Sequence, residues 1–517
     1  MIAKVYSAIP QGYDGHIVEV EGDANRGLPA FNIVGMANKT ISESRERVRA
    51  ALANSGFSFP TRKVTISLAP AELAKDGSHL DLPIALAILV LSEQLLPQNI
   101  TNMLFVGELA LDGLIRPVRG IINIVEAAKQ AGYTEIYLPK DNLPQAALIH
   151  GIKIFGVSNL LELFLHLKGQ KILHPYTTKT VVRKTKIGTK QIYPILDDIK
   201  GQAFAKRALA ITIAGHHNLL LTGPPGTGKS MLAQAALNLL PSPTPNEQIE
   251  ITKLHSLSSG SFASDYATRP FRAPHHTASK TAIIGGGTHI QPGEISLAHR
   301  GILFLDELPE YPRDVLESLR QPLENGSITI SRANGHTTYP ANFILIATMN
   351  PCPCGHYGDP DHACICTLSQ LQNYQKRLSG PIRDRIDLTV HVNRISAEDL
   401  LGSSVVENNP TDSKTVSEHN VVKNNITSAT QRQNHRYNQS GQYNGSLSSS
   451  EIKRYIKLHP SAQEILSRAT ERFHLSARSY FKTIKVAQTI ADLSGTTEVR
   501  IEHISEALSF RECQIEH

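Results

Sequence analysis

Cysteine and long apolar runs are both scarce in this chain. Only five of its 517 residues are cysteine. The longest apolar stretch, IALAILVL at 84–91, is far short of the ~20 residues a membrane-spanning helix needs. It reads as a buried helix. The opening MIAKVYSAIP has no apolar run of the secretory kind. A cytoplasmic protein without a membrane partner is therefore expected, and in that compartment thiols stay reduced. Disulfide scaffolding is thereby set aside, and clustered cysteines point to metal.

Apolar residues make up 41% and aromatic residues 6%, which fits a globular protein. The length exceeds what one core supports, so about three domains are expected. The net charge of +6 permits a polyanionic partner without requiring one. Residues 1–168 alternate strand-like KVTISLAPAEL and EIYLP with helix-like DLPIALAILVLSEQLL and GIINIVEAAKQAG, giving an α/β or α+β domain. The segment 169–191 is basic and without acids, the composition of an exposed linker. A second α/β domain is expected at 192–395. Asparagine and serine fill eighteen of the fifty positions 401–450. We expect a polar connection at 396–450, helical around HNVVKNNITSATQRQNHR and flexible at NQSGQYNGSLSSS. Residues 451–517 have helical spacing, with a stop at Gly495.

The strongest signal is NLLLTGPPGTGKS. An apolar strand runs into Gly223-Pro224-Pro225-Gly226-Thr227-Gly228-Lys229-Ser230, and a helix follows at once. Glycines let backbone N–H groups close around phosphates, and the helix N-terminus adds a favourable dipole. Lys229 is positioned to reach the β- and γ-phosphates of ATP, and the Ser230 hydroxyl to take Mg²⁺. In RGILFLDELPE a buried strand ends in Asp306 and Glu307. The first suits holding the metal through water and the second polarising the attacking water. A third strand, NFILIATMN, ends in Asn350, placed to orient that water; a plain turn before Pro351 is the alternative.

Four of the five cysteines follow within eighteen residues, in NPCPCGHYGDPDHACICT. Cys352, Cys354, Cys364 and Cys366 can form a tetrahedral Cys₄ site for a structural Zn²⁺. His356 and His362 are substitute ligands. The loop has little apolar surface, so metal would supply its folding energy. Four unliganded thiols are the alternative, and Cys513 is read as a small residue without a role.

Beyond these residues, RPFRAPHHTAS, PGEISLAHRGILFLDELPE, PLENGSITISRA and NPCPCG resemble blocks of the AAA+ ATPases. The closest resemblance is to their magnesium-chelatase-like subfamily, the ComM/YifB competence family, and it covers nearly the whole chain. It implies an α/β AAA+ P-loop core with a helical lid, preceded by a Lon-protease-like α+β N-terminal domain. It also implies a homohexameric ring. Members are associated with ATP-driven branch migration of DNA in natural transformation, so single-stranded, forked or branched DNA and recombination proteins are the implied partners. GPIRDRIDL matches the arginine-finger segment and puts that role on Arg385, with Arg377 and Arg383 as rivals. LSARSYFKTIKVA matches the sensor-2 helix, which implies Arg478 over the γ-phosphate. Two inserts resemble pore elements. Lys280 lies ahead of the first, and in the second Arg332 and His336 flank Asn334-Gly335, the preferred pair for a type I′ hairpin. These three are the candidate DNA contacts.

Two other functions compete with a DNA motor. One is a chelatase-type ATPase that remodels a protein partner. The other is a Lon-like protease, for which the residues argue poorly. AKDGSHLDLP sets Ser78 one position early and His79 where the nucleophile would align. No lysine lies between Gly113 and Lys129 to activate a nucleophile.

Overall fold

The computed structural model describes residues 2–35, 39–73, 75, 77–177, 193–258, 268–287, 290–332, 335–359, 362–394, 417–439 and 441–511. Most of the basic linker, the segment 395–416, Asn334 and Cys513 lie outside the described residues, as do the side chains of Arg332 and Gly335.

The N-terminal domain is built on a seven-stranded sheet of β1 (Ile2–Gln11), β2 (Asp14–Asn25), β3 (Ala30–Val34), β4 (Lys63–Ala69), β5 (Met103–Phe105), β8 (Glu135–Pro139) and β9 (Lys153–Val157), in the order β3-β4-β2-β1-β5-β8-β9. A separate small ribbon pairs β6 (Glu108–Leu109) with β7 (Ile115–Arg116). β1, β2 and β4 pair antiparallel, whereas β5, β8 and β9 run parallel. The apolar run falls in the helix Asp81–Leu91, every residue of which is buried. It is a core helix, not a surface one. Each of its Leu and Ile side chains contributes about 1.5–3 kcal/mol by burial. The helix Ile121–Gln130 covers the other face, with Ile121, Ile122, Ile124, Val125 and Ala128 turned into a second core.

The second domain holds a five-stranded parallel sheet of β10 (Leu219–Thr222), β11 (Phe271–Arg272), β14 (Ile302–Leu305), β17 (Ile344–Met349) and β18 (Leu388–His391), ordered β11-β14-β17-β10-β18. β10, β14 and β17 are buried at every position, which is why they read as unbroken apolar runs rather than alternating ones. Two hairpins interrupt this pattern. The short β12 (Gly285–Gly286) and β13 (Gln291–Pro292) form the first insert, and β15 (Ser327–Arg332) with β16 (Gly335–Pro340) form the second. Arg332 pairs with Gly335 and Ser331 with His336. Gly335 is therefore a strand residue, paired in the ladder rather than standing outside it.

The C-terminal helices Glu418–Tyr437, Pro460–Arg472, Ala477–Ser494 and Ile501–Ser509 share one core with one face of the parallel sheet, including Ile426, Leu466, Ile490 and Phe510. The stretch expected to be flexible is ordered at 441–448. It makes a tight turn at Asn444–Ser446, and Asn444 is fully buried. Its Nδ2 donates to Thr489 Oγ1 at 2.9 Å and to Asp492 Oδ2 at 2.9 Å. Buried hydrogen-bonding capacity, which composition does not reveal, fixes this segment.

The two large domains touch. Lys253, on the helix Pro245–Leu257, pairs with Glu126 at 2.6 Å and lies over the Tyr13 ring at 4.1 Å. Gly120 N donates to the Ser256 carbonyl at 2.9 Å. Gly12 occupies the β1–β2 turn with φ +59°, and a Cβ there would overlap the Thr337 methyl on β16. No helix among the described residues is long and apolar enough to cross a membrane.

Candidate active site

In an open parallel sheet, ligands bind beyond the carboxyl ends of the strands, where the strand order reverses. β10 has β17 on one side and β18 on the other, and the residues singled out in the sequence gather at these ends. The loop leaving β10 turns through Gly226 and Gly228, with φ of +79° and +83°, and nothing lies within 4 Å of where their Cβ atoms would be. This open concavity ends at the helix Lys229–Leu239.

Lys229 is almost fully buried, yet its ammonium faces the loop. Nζ donates to the carbonyls of Gly223 and Pro224 at 2.6 and 2.7 Å, and more weakly to Asn350 Oδ1 at 3.4 Å. Burial lowers its pKa from the ordinary value, against the opposing pull of Asp306 and Glu307. Ser230 Oγ donates to Asp306 Oδ2 at 3.4 Å, which joins the two expected Mg²⁺ ligands. Thus Lys229, Ser230, Asp306 and Asn350 form one connected set, drawn from three neighbouring strands.

Thr348 was not foreseen. Its hydroxyl donates to Asp306 Oδ1 and accepts from the Glu307 backbone N–H at 3.0 Å. Glu307 itself sits in the left-handed region at φ +53°. A non-glycine residue there is uncommon and costs on the order of 1 kcal/mol. The signal was present in the sequence as the one polar side chain among five apolar ones in ILIATM. Asn218 was also missed. Its backbone N–H donates to Asp387 at 2.8 Å, Nδ2 donates to the Arg385 carbonyl at 2.9 Å, and Oδ1 accepts from Leu345 N at 3.1 Å. It ties the arginine segment to the sheet.

The two arginines lie elsewhere. Arg385 Nη2 and Arg478 Nη2 meet on one oxygen, Glu324 Oε1, at 2.5 and 2.6 Å. They border a cavity of about 470 Å³ with Lys482 and Lys485, and no residue of the Gly223–Ser230 loop lines it. The structure therefore sets Arg478 beside Arg385, not over the phosphate loop of its own chain. Sequence order hides this, because the meeting joins elements 154 residues apart. Arg377 is paired with Glu310 at 2.7 Å, and Arg383 donates to the Gln375 carbonyl at 2.8 Å.

Lys280 is paired with Asp314 at 3.0 Å. His336 is exposed on β16. In the N-terminal domain Ser78 Oγ donates to Glu108, and His79 Nε2 lies 3.0 Å from the Arg119 carbonyl.

The cysteine loop abuts the phosphate loop. A Cβ at Gly355, where φ is +86°, would lie 2.9 Å from Pro225 Cδ. All four sulfurs lie within 4.8 Å of one another. The Sγ of Cys352 is 3.3 Å from that of Cys354 and 3.7 Å from that of Cys364, and Cys354 and Cys364 are 3.6 Å apart. Zinc at ~2.3 Å from each thiolate in a tetrahedron separates sulfurs by roughly 3.8 Å, so the donor set fits that ion. His356 and His362 turn away to Asp359 at 3.2 and 3.6 Å, and Arg394 takes the same carboxylate at 3.3 Å.

The family model described as magnesium chelatase, subunit ChlI, matches residues 195–400. Those for subunit ChlI of Mg-chelatase and for the ChlI C-terminal region match 20–142 and 417–511. The competence protein ComM of Haemophilus influenzae is 41% identical over 99% of this chain and 97% of its own length. YifB of Escherichia coli, uncharacterized, is 40% identical over 99% and 97%. The magnesium-chelatase 67 kDa subunit of Chlorobaculum parvum is 24% identical over 30% of this chain and 23% of its own length. Three consecutive family matches and full-length identity agree with the order of domains found here, and the chain belongs to the ComM/YifB family of magnesium-chelatase-like proteins.

Proposed function

We propose that this protein is an ATP-driven motor that works on DNA as a hexameric ring, moving strands or branches during the integration of DNA. The observation that carries the reading is the connected set Lys229–Asn350 and Ser230–Asp306 at the carboxyl ends of adjacent parallel strands. ATP would lie with its phosphates in the Gly223–Ser230 loop, where Lys229 would exchange its carbonyl partners for phosphate oxygens. Mg²⁺ would sit between Ser230 and Asp306, and it supplies charge neutralisation on the phosphates when bound. Glu307 is assigned the task of polarising the attacking water, and Asn350 of orienting it. Arg385 is assigned to a neighbouring subunit's phosphate.

The DNA part of the reading is supported by a full-length relative named as a competence protein and by the second hairpin, with Arg332 and His336 flanking its connection. Lys280 is assigned to DNA as well, exchanging Asp314 for phosphate. The N-terminal domain is assigned a Lon-protease-like fold without peptidase activity, because Lys75 and Ser78 are committed to separate partners, Pro70 and Glu108. The four cysteines are assigned to a structural Zn²⁺ that props the phosphate loop through Gly355 and Pro225.

The test is an ATPase assay with and without single-stranded and forked DNA over a range of salt. A motor shows stimulation that falls steeply as salt rises, because phosphate contacts release counterions. Turnover indifferent to DNA but raised by a protein partner would replace the motor with a chelatase-type remodeller.

A further inference from the structure

Glu324 lies in the block PLENGSITISRA, where no role was read for it, yet it holds both Arg385 and Arg478. One carboxylate oxygen accepts from both Arg385 and Arg478, at 2.5 and 2.6 Å. Two guanidinium groups sharing one oxygen leave the knot with surplus positive charge. Its carboxyl is held below the usual range, first by the bond from Arg385 and then by that from Arg478. Arg385 is further pinned by donating from Nη1 to the Pro381 carbonyl at 2.5 Å, and only 9% of its side chain is exposed. Glu324 is itself 44% exposed, and the two arginines it holds line the cavity together with Lys482 and Lys485.

The position of Glu324 in the chain gives this knot its significance. It lies in the last turn of the helix Arg320–Asn325, which ends at Gly326 with φ +63° and passes directly into β15. The helix and hairpin are bound as one piece. Gln321 Nε2 donates to Thr329 Oγ1 at 3.3 Å and its Oε1 accepts from Thr329 N at 3.4 Å. Ala341 N donates to the Gly326 carbonyl at 2.7 Å, which closes the hairpin's base. A displacement of Glu324 therefore reaches the hairpin through the bonds to Thr329 on β15 and through the Gly326–Ala341 bond at its base.

We propose that Glu324 is a positioning residue that stands in for phosphate: it holds Arg385 and Arg478 as a pair, and when a polyphosphate displaces it, the freed carboxylate shifts the hairpin β15–β16. The exchange is chemically reasonable. A terminal phosphate carries more negative charge than a carboxylate and offers three oxygens to the same donors. The proposal rests on the ATPase reading above. It gives the hairpin an input that reports the phosphate facing the arginine cavity.

The experiment uses the full chain with an environment-sensitive fluorophore on a cysteine introduced at Ser331, an exposed hairpin position. The probe is a non-hydrolysable ATP analogue, added to saturation as checked by bound nucleotide. Glu324→Gln removes the charge and keeps the shape, whereas Glu324→Asp keeps the charge. In the parent the analogue should shift the fluorescence. Glu324→Gln should lose at least half of that shift, and Glu324→Asp should retain most of it. An analogue-bound Glu324→Gln protein with the parental shift overturns the proposal and leaves the ATPase reading intact. A parent that binds no analogue overturns both. If Glu324→Asp fails like Glu324→Gln, packing rather than charge is at work and the phosphate-mimic role is wrong.

Discussion

Two nearly buried lysines set the two large domains apart. Lys75, in the N-terminal domain, has no exposed surface, and its ammonium donates to the Pro70 carbonyl. Lys229, in the second domain, is 8% exposed and also donates to backbone carbonyls. The difference lies in the company each keeps. Lys229 is ringed by a glycine loop with room for a ligand, two acids at a strand end and an amide from a third strand. Among the described residues around Lys75 there is no such set: nearby Ser78 is taken by Glu108. A buried cation is therefore not in itself a sign of chemistry. It becomes one where the groups around it converge on empty space.

The sharpest way to break this comparison is to exchange the fates of the two lysines. Lys229→Ala should lower ATP turnover by about 100-fold or more, the scale of losing a transition-state charge contact. Glu307→Gln should lose turnover to a similar degree while still binding ATP. Lys75→Met should leave turnover within about twofold, since a buried cation replaced by an apolar chain of similar length disturbs no site. Parental turnover in Lys229→Ala would end the site assignment, and a large loss in Lys75→Met would give the N-terminal lysine a role in the reaction.

Arg385→Ala ranks next. Its turnover should drop by about 100-fold with the subunit's own nucleotide pocket intact, because an arginine finger is worth at least that much. Mixing it with Lys229→Ala subunits should restore part of the activity, since the second variant still offers Arg385 to its neighbour. Mixed rings without rescue, verified by mass measurement with ATP, would place Arg385's action within its own subunit.

Metal removal should have a smaller effect. The purified protein should carry about one zinc per subunit. Cys352→Ser or Cys364→Ser should lose it and lower turnover by about tenfold, the lower end of what losing a supporting shell costs. Metal analysis without zinc, on protein never exposed to chelator, would reduce the cluster to four packed thiols.

The double change Arg332→Ala with His336→Ala should act on DNA stimulation more than on turnover without DNA, by about threefold to tenfold at moderate salt. An unaltered salt slope and unaltered branch migration in assembled rings would remove the hairpin from the DNA path. Smallest of all, Ser78→Ala should leave every activity unchanged, including hydrolysis of an unstructured protein substrate. Peptide release by the parent that Ser78→Ala abolishes would restore the protease reading.

How much of this could be read from the residues depended on chain distance. The phosphate loop was legible because eight consecutive residues carry it. Asp306, Glu307 and Asn350 were legible because each ends an apolar run, and parallel strands put such ends side by side. In the N-terminal domain β4, β8 and the helix Ile121–Gln130 were legible by pattern, and the buried helix by its unbroken apolar run. Glu324 was not legible, since an acid at the end of a short helix looks like any solvated acid until Arg385 and Arg478 are seen upon it. Asn444 was read as part of a loose tether. Its burial depends on Gln433, Thr489 and Asp492, and only folding brings those donors and acceptors to it.

The close approach of Gly12 to Thr337 has a consequence for how the hairpin can travel. The hairpin is buttressed by another domain: the β1–β2 turn rests against β16 with no space for one more methyl group. A side chain at residue 12 would do more than strain a left-handed turn. It would wedge the hairpin away from its rest position while leaving the phosphate loop untouched. The N-terminal domain thus fixes the rest position of the hairpin, and removing it would free that position without touching the phosphate loop.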